Sequence, residues 1–239
     1  MFSGKNVIVT GAASGIGQAQ AAAFLKHGAT VYAVDLKNNL ELAAHPNCYF
    51  FQQDVTQIDQ IKKLQQLPQI DILCNTCGML DDYLPLDQME MSLWQQIINN
   101  NLTTFAVATK FALTKMLPFK QGIIINMASI AGVISGGGGF AYTASKHAIV
   151  GMTKQLTYDY AHLGIRVNAI APGAIRTPMT ESDFQNGGQI AKEVAERIPA
   201  KRYATPEEVA QLTLFVASSA ADYLYGDIIP IDGGWLQRN

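Results

Sequence analysis

The amino-acid sequence predicts an α/β fold, a single-domain doubly wound arrangement with a parallel sheet of about seven strands and helices on both faces. Short apolar runs alternate with longer helical stretches along all 239 residues, which is typical of parallel strands joined by helices. No repeat or low-complexity linker interrupts this series. With 49% hydrophobic and 15% charged residues, the chain suits one domain around a large buried core.

The individual elements follow from the same alternation. The predicted strands are the short apolar runs at residues 5–10, 30–34, 49–53, 70–74, 122–127, 165–170 and 228–231. The predicted helices are the longer stretches at residues 15–27, 57–66, 88–117, 142–162, 187–197 and 206–219. In doubly wound folds ligands bind at the carboxyl ends of the strands, so we look for a site there.

Two connections have their own character. Between the second and third strands, residues 36–48 contain Asn38, Asn39 and Pro46, which leaves room for one or two helical turns at most. Residues 178–199 form a long polar stretch between two ordered regions. We expect this stretch to be a partly helical lid over the substrate.

Composition and charge limit the partners of the protein. The formal net charge is −2, without the clustered Lys and Arg that a nucleic-acid surface needs. Residues 1–5 lead directly into the first strand without a signal stretch, and no apolar segment approaches membrane-spanning length. Three cysteines without a disulfide-framework spacing suit a reducing compartment. We therefore expect a cytoplasmic protein with neither nucleic acid nor membrane as a partner.

A glycine-rich turn at residues 10–17 follows the first strand and opens the first helix. Glycines let the backbone approach a pyrophosphate, and the helix N-terminus offers free N–H groups and the positive end of a dipole. The spacing is Gly-x3-Gly-x-Gly, and glycines also occur where only a turn is needed. The turn predicts dinucleotide binding by Gly11, Ser14, Gly15, Ile16 and Gly17.

Asp35 at the end of the second strand indicates which dinucleotide is bound. It lies at roughly the 20-residue offset where a carboxylate accepts hydrogen bonds from the adenosine ribose hydroxyls, and it would repel a 2′-phosphate. Neither Ser14 nor Leu36 supplies a cation for such a phosphate, and Lys37 is the only nearby candidate. The sequence therefore predicts NAD(H) in preference to NADP(H).

Polar residues end two further strands near the expected cleft. Asp54, followed by Val55, stands where a carboxylate meets the adenine amino group, and Asn75 ends the fourth strand. We expect all three residues to contact the cofactor. The alternative is that Asp54 and Asn75 are ordinary capping residues between a strand and a helix.

Ser129, Tyr142 and Lys146 predict the chemistry. A tyrosine acts as a base near neutral pH only if its phenolate is stabilised, because the ordinary pKa of the phenol is about 10. A lysine four residues later lies on the same helical face, and its ammonium, with the positive nicotinamide, is expected to lower that pKa. Ser129 follows the fifth strand and would hydrogen-bond the substrate oxygen.

Several motifs in order make the resemblance to the short-chain dehydrogenase/reductase family, which has a Rossmann fold, clear over essentially the whole chain. They are Thr10-Gly11-x3-Gly15-x-Gly17, Asn75-x2-Gly78, Asn101, Ser129, Tyr142-x3-Lys146 and Pro172-Gly173. The resemblance implies one dinucleotide-binding and catalytic domain over residues 1–239 that oxidises or reduces a carbon bearing oxygen.

The resemblance also implies roles for particular residues. Asn101, chosen because it directly precedes a leucine, would anchor a water that relays the proton. Tyr142 and Lys146 would contact the cofactor, Lys146 through the nicotinamide ribose hydroxyls. The loop at Pro172 and Gly173 would bring the Ile175 backbone and the Thr177 hydroxyl to the nicotinamide carboxamide, and Gly78 would shape the cleft. Residues 230–235 resemble a tail that packs in the homotetramers of many members.

One departure from the family pattern is Asn75-Thr76-Cys77-Gly78, where Asn-Asn-Ala-Gly is usual. It creates a Cys74-x2-Cys77 pair, which by itself suggests a metal or redox motif. No second cysteine pair is present and the four histidines are scattered, so we expect no metal site and interpret the pair as packed thiols.

The substrate is the least determined part of the prediction. Residues 130–140 offer small, apolar or aromatic lining, which favours an uncharged secondary alcohol or ketone. In the lid, Met179, Phe184 and Ile190 add apolar cover, whereas Glu181, Asp183 and Arg197 would suit a polar substrate; the sequence does not rank them.

The overall similarity is greatest to the branch that includes 3-oxoacyl-(acyl-carrier-protein) reductases, so an acyl thioester is the alternative substrate. Two features disfavour it. Asp35 opposes the NADPH that fatty-acid reduction normally uses. Docking an acidic carrier protein calls for basic residues near the entrance, and although Lys120, Lys154 and Arg166 are available, Leu163 stands at the end of the catalytic helix where a cation would help. A non-catalytic nucleotide-binding protein is a more remote alternative, because it would not need Ser129, Tyr142 and Lys146 together.

Overall fold

The computed structural model, which describes residues 1–237, has the predicted seven-stranded parallel sheet. The strands are β1 Asn6–Thr10, β2 Thr30–Asp35, β3 Cys48–Gln52, β4 Ile72–Asn75, β5 Gly122–Met127, β6 Ile165–Pro172 and β7 Ile228–Ile231. Their order across the sheet is β3-β2-β1-β4-β5-β6-β7, and every pairing is parallel. The chain reverses its winding between β1 and β4, which opens the crevice where such folds bind ligands.

The helices lie between the strands as expected. They are α1 Gly15–Lys26, α2 Leu40–Ala43, α3 Lys62–Gln65, α4 Met91–Ile98, α5 Thr104–Met116, α6 Phe140–Tyr160, α7 Gln189–Arg197 and α8 Pro206–Ala217. The single turn of α2 agrees with the short connection expected there. None of the helices within residues 1–237 combines the length and the apolar character that crossing a membrane requires.

Helices cover both faces of the sheet, and successive residues of each strand point to opposite faces. In β1, Val7 and Val9 belong to the core cluster that includes Phe24 of α1 and Leu214 of α8. Ile8 belongs to the opposite cluster, which includes residues of α3 and α5. This double burial explains why the strands have nearly continuous apolar sequences.

The predicted helix at 57–66 is wrong over most of its length. The structure has a 3₁₀ segment at Val55–Gln60, an extended Ile61 and then the single turn of α3. Ile58, Ile61 and Leu64 are spaced by three residues and are all buried. A spacing of three matches the 3₁₀ repeat better than the 3.6-residue repeat of an α-helix.

The predicted helix at 88–117 is interrupted. Helices α4 and α5 are joined by a π-helical segment, Asn99–Thr103, in which each backbone hydrogen bond spans one more residue than in an α-helix. The segment contains Asn101, which is fully buried. Such π-helical insertions often occur at functional sites, and this one turns an amide side chain into the protein.

Residues 178–199 are partly helical, with a 3₁₀ segment at Pro178–Phe184 followed by α7. Arg166, one of the three cations considered for docking a carrier protein, is not at the surface. Arg166 is 4% exposed, and its guanidinium donates hydrogen bonds to the carbonyls of Val216, Ser218 and Ala221. Arg166 therefore fastens β6 to the end of α8 and is not a surface cation.

Candidate active site

A cleft of about 870 Å³ lies at the carboxyl ends of the strands. It contains every residue predicted for the site except Asn75 and Asn101. Those that line it are Gly11, Ser14, Gly15, Ile16, Gly17, Asp35, Asp54, Val55, Gly78, Ser129, Tyr142, Lys146, Pro172, Gly173, Ile175 and Thr177. The fold thus brings the glycine-rich turn and the Ser-Tyr-Lys group into one cavity.

The glycine-rich turn has the shape that a pyrophosphate requires. Gly11 has φ +69°, and a Cβ there would lie 2.8 Å from the backbone nitrogen of Cys77. A Cβ on Gly17 would overlap the carbonyl oxygen of Gly11. Both positions therefore require glycine, and the open N-terminus of α1 faces the cleft beside them. These residues fit a dinucleotide phosphate.

Asp35 stands at the edge of the cleft and is connected to the glycine-rich turn. Its Oδ2 accepts a hydrogen bond from the backbone N–H of Ala13 at 2.9 Å, and its Oδ1 accepts one from the backbone N–H of Lys37 at 2.9 Å. Each carboxylate oxygen has a further lone pair. Asp35 can therefore hold the turn and still accept a hydroxyl group from a ligand.

Asp54 and Asn75 both have structural partners. The Asp54 carboxylate accepts hydrogen bonds from the backbone and the hydroxyl of Thr56, at 2.8 and 2.7 Å, so it caps the 3₁₀ segment while facing the cleft. The buried amide of Asn75 donates to Asn126 and Thr109 at 2.9 and 3.0 Å. The Asn75 side chain joins β4 to β5 and α5, and it does not line the cleft.

Ser129, Tyr142 and Lys146 meet at the middle of the cleft. Ser129 follows β5; its hydroxyl accepts from the Ala131 N–H at 3.1 Å and acts on Tyr142 so as to lower the pKa of the phenol. The Lys146 ammonium lies 5.5 Å from the centroid of the Tyr142 ring and donates to the carbonyl of Met127 at 2.8 Å. One strand end and one helix therefore supply the whole group.

Burial controls the protonation of this group. Desolvation raises the pKa of Tyr142 to about 12, although its hydrogen bond with Ser129 acts in the opposite direction. Desolvation also lowers the pKa of Lys146 to about 8. The protein groups alone thus move the phenol pKa upward, opposite to the expected direction, because removal from water outweighs the neighbouring polar groups.

Asn101 lies behind the cleft, between the loop after β4 and α6. Its Oδ1 accepts from the Met79 N–H at 2.8 Å, and its Nδ2 donates to the Met79 carbonyl at 3.0 Å and to the Ser145 hydroxyl at 3.2 Å. Ser145 directly precedes Lys146 on α6. Asn101 therefore holds the loop against α6, and its predicted water remains a prediction.

Three aromatic residues of the cleft were not predicted as site residues. Tyr83, Tyr203 and Trp235 line the cavity, and the Tyr203 hydroxyl donates to Asp183 at 2.9 Å. Trp235 lies in the tail that the sequence assigned to a tetramer interface. The three residues are far apart in the chain and belong to loops or short turns. In the sequence, these residues are recognisable only as aromatic residues in polar loops, and that pattern does not predict that they reach the cleft.

The Cys74-x2-Cys77 pair is part of the packing around the cleft. Cys74 is fully buried, and burial raises its pKa. Cys77 lines the cleft, and burial raises its pKa to about 12. Thiols with raised pKa values are poor metal ligands. Within residues 1–237, no three His, Cys, Asp or Glu side chains are arranged to hold a metal ion.

Comparisons with known proteins cover the chain almost from end to end. Residues 11–236 match the family model described as enoyl-(acyl carrier protein) reductase. The chain is 40% identical to the 3-oxoacyl-(acyl-carrier-protein) reductase FabG of Thermotoga maritima, over 98% of each chain. It is 37% identical to the 2-dehydro-3-deoxy-D-gluconate 5-dehydrogenase of Bacillus subtilis, over 99% of this chain and 96% of that enzyme.

A solved structure agrees in fold. It is a candidate NAD(P)-dependent gluconate 5-dehydrogenase of Beutenbergia cavernae that holds NADP at low occupancy. The TM-score is 0.91 at 32% identity, covering 99% of this chain and 98% of that one. This solved structure therefore shares the architecture of the chain, and the named substrates of the similar proteins differ.

Proposed function

Because this chain belongs to the short-chain dehydrogenase/reductase family of oxidoreductases, we propose that it interconverts a secondary alcohol and a ketone, with NAD(H) preferred over NADP(H). Tyr142 is the general acid and base. The observation that carries the reaction type is the meeting of Ser129, Tyr142 and Lys146 in the cleft that contains the glycine-rich turn. The proposed cofactor contacts are those expected from the sequence, except that Asn75 acts indirectly, by joining β4 to β5 and α5.

The proton steps follow from the three side chains. In reduction, the Tyr142 hydroxyl gives its proton to the carbonyl oxygen, and the Ser129 hydroxyl donates a hydrogen bond to the same oxygen. In oxidation, Tyr142 takes the hydroxyl proton from the alcohol. A bound nicotinamide would supply the hydride in reduction and accept it in oxidation. A phenol whose pKa is raised by burial is protonated at neutral pH, which suits reduction.

The nucleotide preference rests on Asp35. Its carboxylate lies at the cleft edge with both oxygens oriented by backbone N–H groups, so a 2′-phosphate there would meet a negative charge. Leu36 follows and is 62% exposed, and it offers no cation. Lys37 also lines the cleft and is the residue that would favour NADP(H), the nucleotide held by the Beutenbergia cavernae protein.

Fluorescence titration with NADH and NADPH tests this preference. We expect wild type to bind NADH at least about tenfold more tightly, a difference of about 1.4 kcal/mol. Asp35→Asn should remove most of that ratio, because it keeps the size of the side chain and removes its charge. The control Asp59→Asn removes an exposed charge outside the cleft and should leave the ratio unchanged. NADPH binding by wild type as tight as NADH binding would overturn the preference.

The substrate end supports an uncharged alcohol or ketone, with residues 178–199 as its lid in a single domain. Leu80, Ile130 and Val194 line the cleft, as do two polar lid residues, Asp183 and Arg197. From the 178–199 segment, Met179 and Ile190 reach the cleft although they are 41% and 54% exposed. Apolar side chains held at a rim in this way gain burial when a substrate covers them.

The second candidate substrate is an acyl thioester on a carrier protein. The 40% identity to the Thermotoga maritima enzyme favours it, whereas Asp35 and the burial of Arg166 disfavour it. Reduction of acetoacetyl thioesters with each nucleotide, beside oxidation of a panel of secondary alcohols and polyols, separates the two. Rapid NADPH-dependent thioester reduction would establish the carrier-protein reductase, and no turnover of either class would favour a binding protein.

We also propose a homotetramer. Aromatic side chains near the C-terminal end are exposed, with Phe215 at 45%, Tyr223 at 98% and Tyr225 at 41%. Self-association would cover them. Sedimentation velocity measures the assembly directly, and a monomer at micromolar concentration would contradict this proposal without affecting the proposed reaction.

A further inference from the structure

Asp81 is a buried carboxylate beside the catalytic helix that the reaction scheme above does not use. It lies in the loop after β4 and is 0% exposed. Among the residues that the structure describes, no Lys, Arg or His forms an ion pair with it. A carboxylate buried without a cation requires hydrogen-bond donors, so its partners indicate what it does.

Both partners of Asp81 are backbone N–H groups at the start of α6. Its Oδ1 accepts from Gly139 at 2.9 Å, and its Oδ2 accepts from Tyr142 at 2.8 Å. The first N–H groups of a helix have no partner within the helix. Gly139, the residue before α6, has no side chain to cap them. Asp81 therefore caps the catalytic helix from a distant part of the chain, and one of the two N–H groups belongs to the catalytic tyrosine itself.

The glycine run at 136–139 explains how the carboxylate fits. A Cβ on Gly139 would lie 2.5 Å from Oδ1 of Asp81, and a Cβ on Gly138 would overlap the ring of Tyr142. The last two glycines are therefore required by the carboxylate and by the tyrosine. The backbone of Leu84 adds a further contact, since its carbonyl accepts from the Phe140 N–H at 3.1 Å.

The loop that carries Asp81 is held in an unfavourable conformation. Asp82 and Tyr83 have φ of +53° and +57°, in the left-handed region that residues other than glycine rarely adopt. Consecutive residues in this region persist only where surrounding contacts require them, and they concentrate at functional sites. Here the contacts are those between Asp81 and the first turn of α6.

We propose that Asp81 is a positioning residue for proton transfer: by holding the first turn of α6 through the Tyr142 N–H, its carboxylate sets the place and the electrostatic surroundings of the Tyr142 phenol. The proposal rests on the role of Tyr142 in the proposed function. Asp81 lies outside the Asn75-x2-Gly78 motif at the start of the same loop, so the proposal adds a residue that none of the family motifs in this sequence includes.

The charges around Tyr142 make this role measurable. Desolvation is the largest cause of the raised Tyr142 pKa; Ser129 lowers this pKa, and the negative charges of an ionised Tyr83 and of Asp81 raise it further. Lys146 lies on the same helix, 5.5 Å from the ring. Two further groups act on Tyr142 indirectly: Cys77 interacts electrostatically with Lys146, and Asp183 interacts electrostatically with Tyr83. Asp81 therefore favours the protonated phenol, and removing its charge should let phenolate form at lower pH.

The test follows the phenol directly by NMR of protein labelled at the tyrosine ζ carbon. The protein is saturated with NAD⁺ or NADP⁺, whichever it binds more tightly, and the Tyr142 signal is assigned with Tyr142→Phe. In Asp81→Asn we expect phenolate to form at a lower pH than in wild type, because a negative charge that favours the protonated phenol is lost. The matched control Asp82→Asn removes the neighbouring exposed carboxylate and should leave the midpoint unchanged.

The proposal is overturned if Tyr142 titrates no lower in Asp81→Asn than in wild type, including the case in which neither titrates. A purely structural role would lower Tm without moving this midpoint. If Asp81→Asn does not fold, amide hydrogen exchange of wild type decides: slow exchange at Gly139 and Tyr142 supports the cap, and exchange as fast as in an open first turn removes it. No substrate is used, so an error in the proposed substrate leaves the test intact.

Discussion

The two halves of the cleft are built from different material. The nucleotide half is made of backbone at the ends of β1, β2 and β4, and its key residues, Gly11, Gly17 and Asp35, lie within 25 consecutive positions. The substrate half is made of side chains from loops far apart in the chain, among them Tyr83, Tyr203 and Trp235. Backbone geometry tolerates few sequences, whereas loop side chains can change without loss of the fold. The first half is therefore readable as a motif and the second is not.

Tyr142→Phe should separate the two halves most strongly. We expect turnover to fall about 10³-fold, the contribution typical of a general acid or base, while nucleotide affinity stays within about threefold of wild type because the glycine-rich turn is untouched. Tyr158→Phe, on the same helix at 83% exposure, is the control and should keep full activity. Steady-state kinetics with the best alcohol or thioester measures both, and a Tyr142→Phe enzyme with a tenth of wild-type turnover would remove the mechanism.

Lys146 belongs to both halves, and its burial should appear as a pH dependence of stability. The folded-state pKa is about 8 against 10.5 for an ordinary lysine, so the unfolded chain binds more protons between these values. The cost of burying the ammonium is then fully present below pH 8 and fades as the pH rises toward 10.5.

Relative to Lys146→Met, wild type should therefore gain about 2 to 3 kcal/mol in free energy of unfolding between pH 7 and pH 10. Urea unfolding of both proteins across this range measures this difference in free energy of unfolding. The tyrosines and cysteines titrate in both proteins, so their contribution drops out of the difference. A difference that is constant with pH would show that the ammonium is not desolvated.

Gly17→Ala tests whether the nucleotide half depends on backbone space. The added Cβ would overlap the Gly11 carbonyl, and relieving such an overlap costs about 1 to 3 kcal/mol. We expect nucleotide affinity to fall at least about tenfold. Gly151→Ala is the matched control, because a Cβ there has no atom within 4 Å, and it should stabilise α6 by up to about 1 kcal/mol. Unchanged nucleotide binding in Gly17→Ala would show that the turn can shift freely.

Tyr203→Phe should have the smallest effect and should act on the substrate half alone. It removes the hydroxyl that donates to Asp183 at 2.9 Å, a contact worth about 1 kcal/mol. We expect KM for the substrate to change about fivefold with nucleotide affinity unchanged. Tyr158→Phe, at 83% exposure, serves as the control. An equal loss of nucleotide affinity in Tyr203→Phe would mean that the two halves are not independent.

The sequence predicted the strands closely because each is a short apolar run, and the central ones are buried on both faces. It placed most of the cleft residues because its motifs end strands or begin helices. It missed the interruption at Asn99–Thr103, since the buried hydrogen bonds of Asn101 override local helix propensity. It also misread residues 57–66, because apolar residues three positions apart occur in α-helices as well as in 3₁₀ helices. Both errors come from packing that no local window contains.

By itself, the sequence determined the fold class and the position of the glycine-rich turn, because periodicity and glycine requirements act over a few residues. The roles of that turn and of Ser129, Tyr142 and Lys146 stay predictions. Only the tertiary structure decided where Asn75 and Asn101 point, which aromatic residues line the substrate end, and how burial alters the protonation of Tyr142. It also placed Asp81 on the first turn of α6, 61 residues before Tyr142 in the chain. Those facts depend on which distant segments share one buried volume, and desolvation and hydrogen-bond partners are set only when that volume closes.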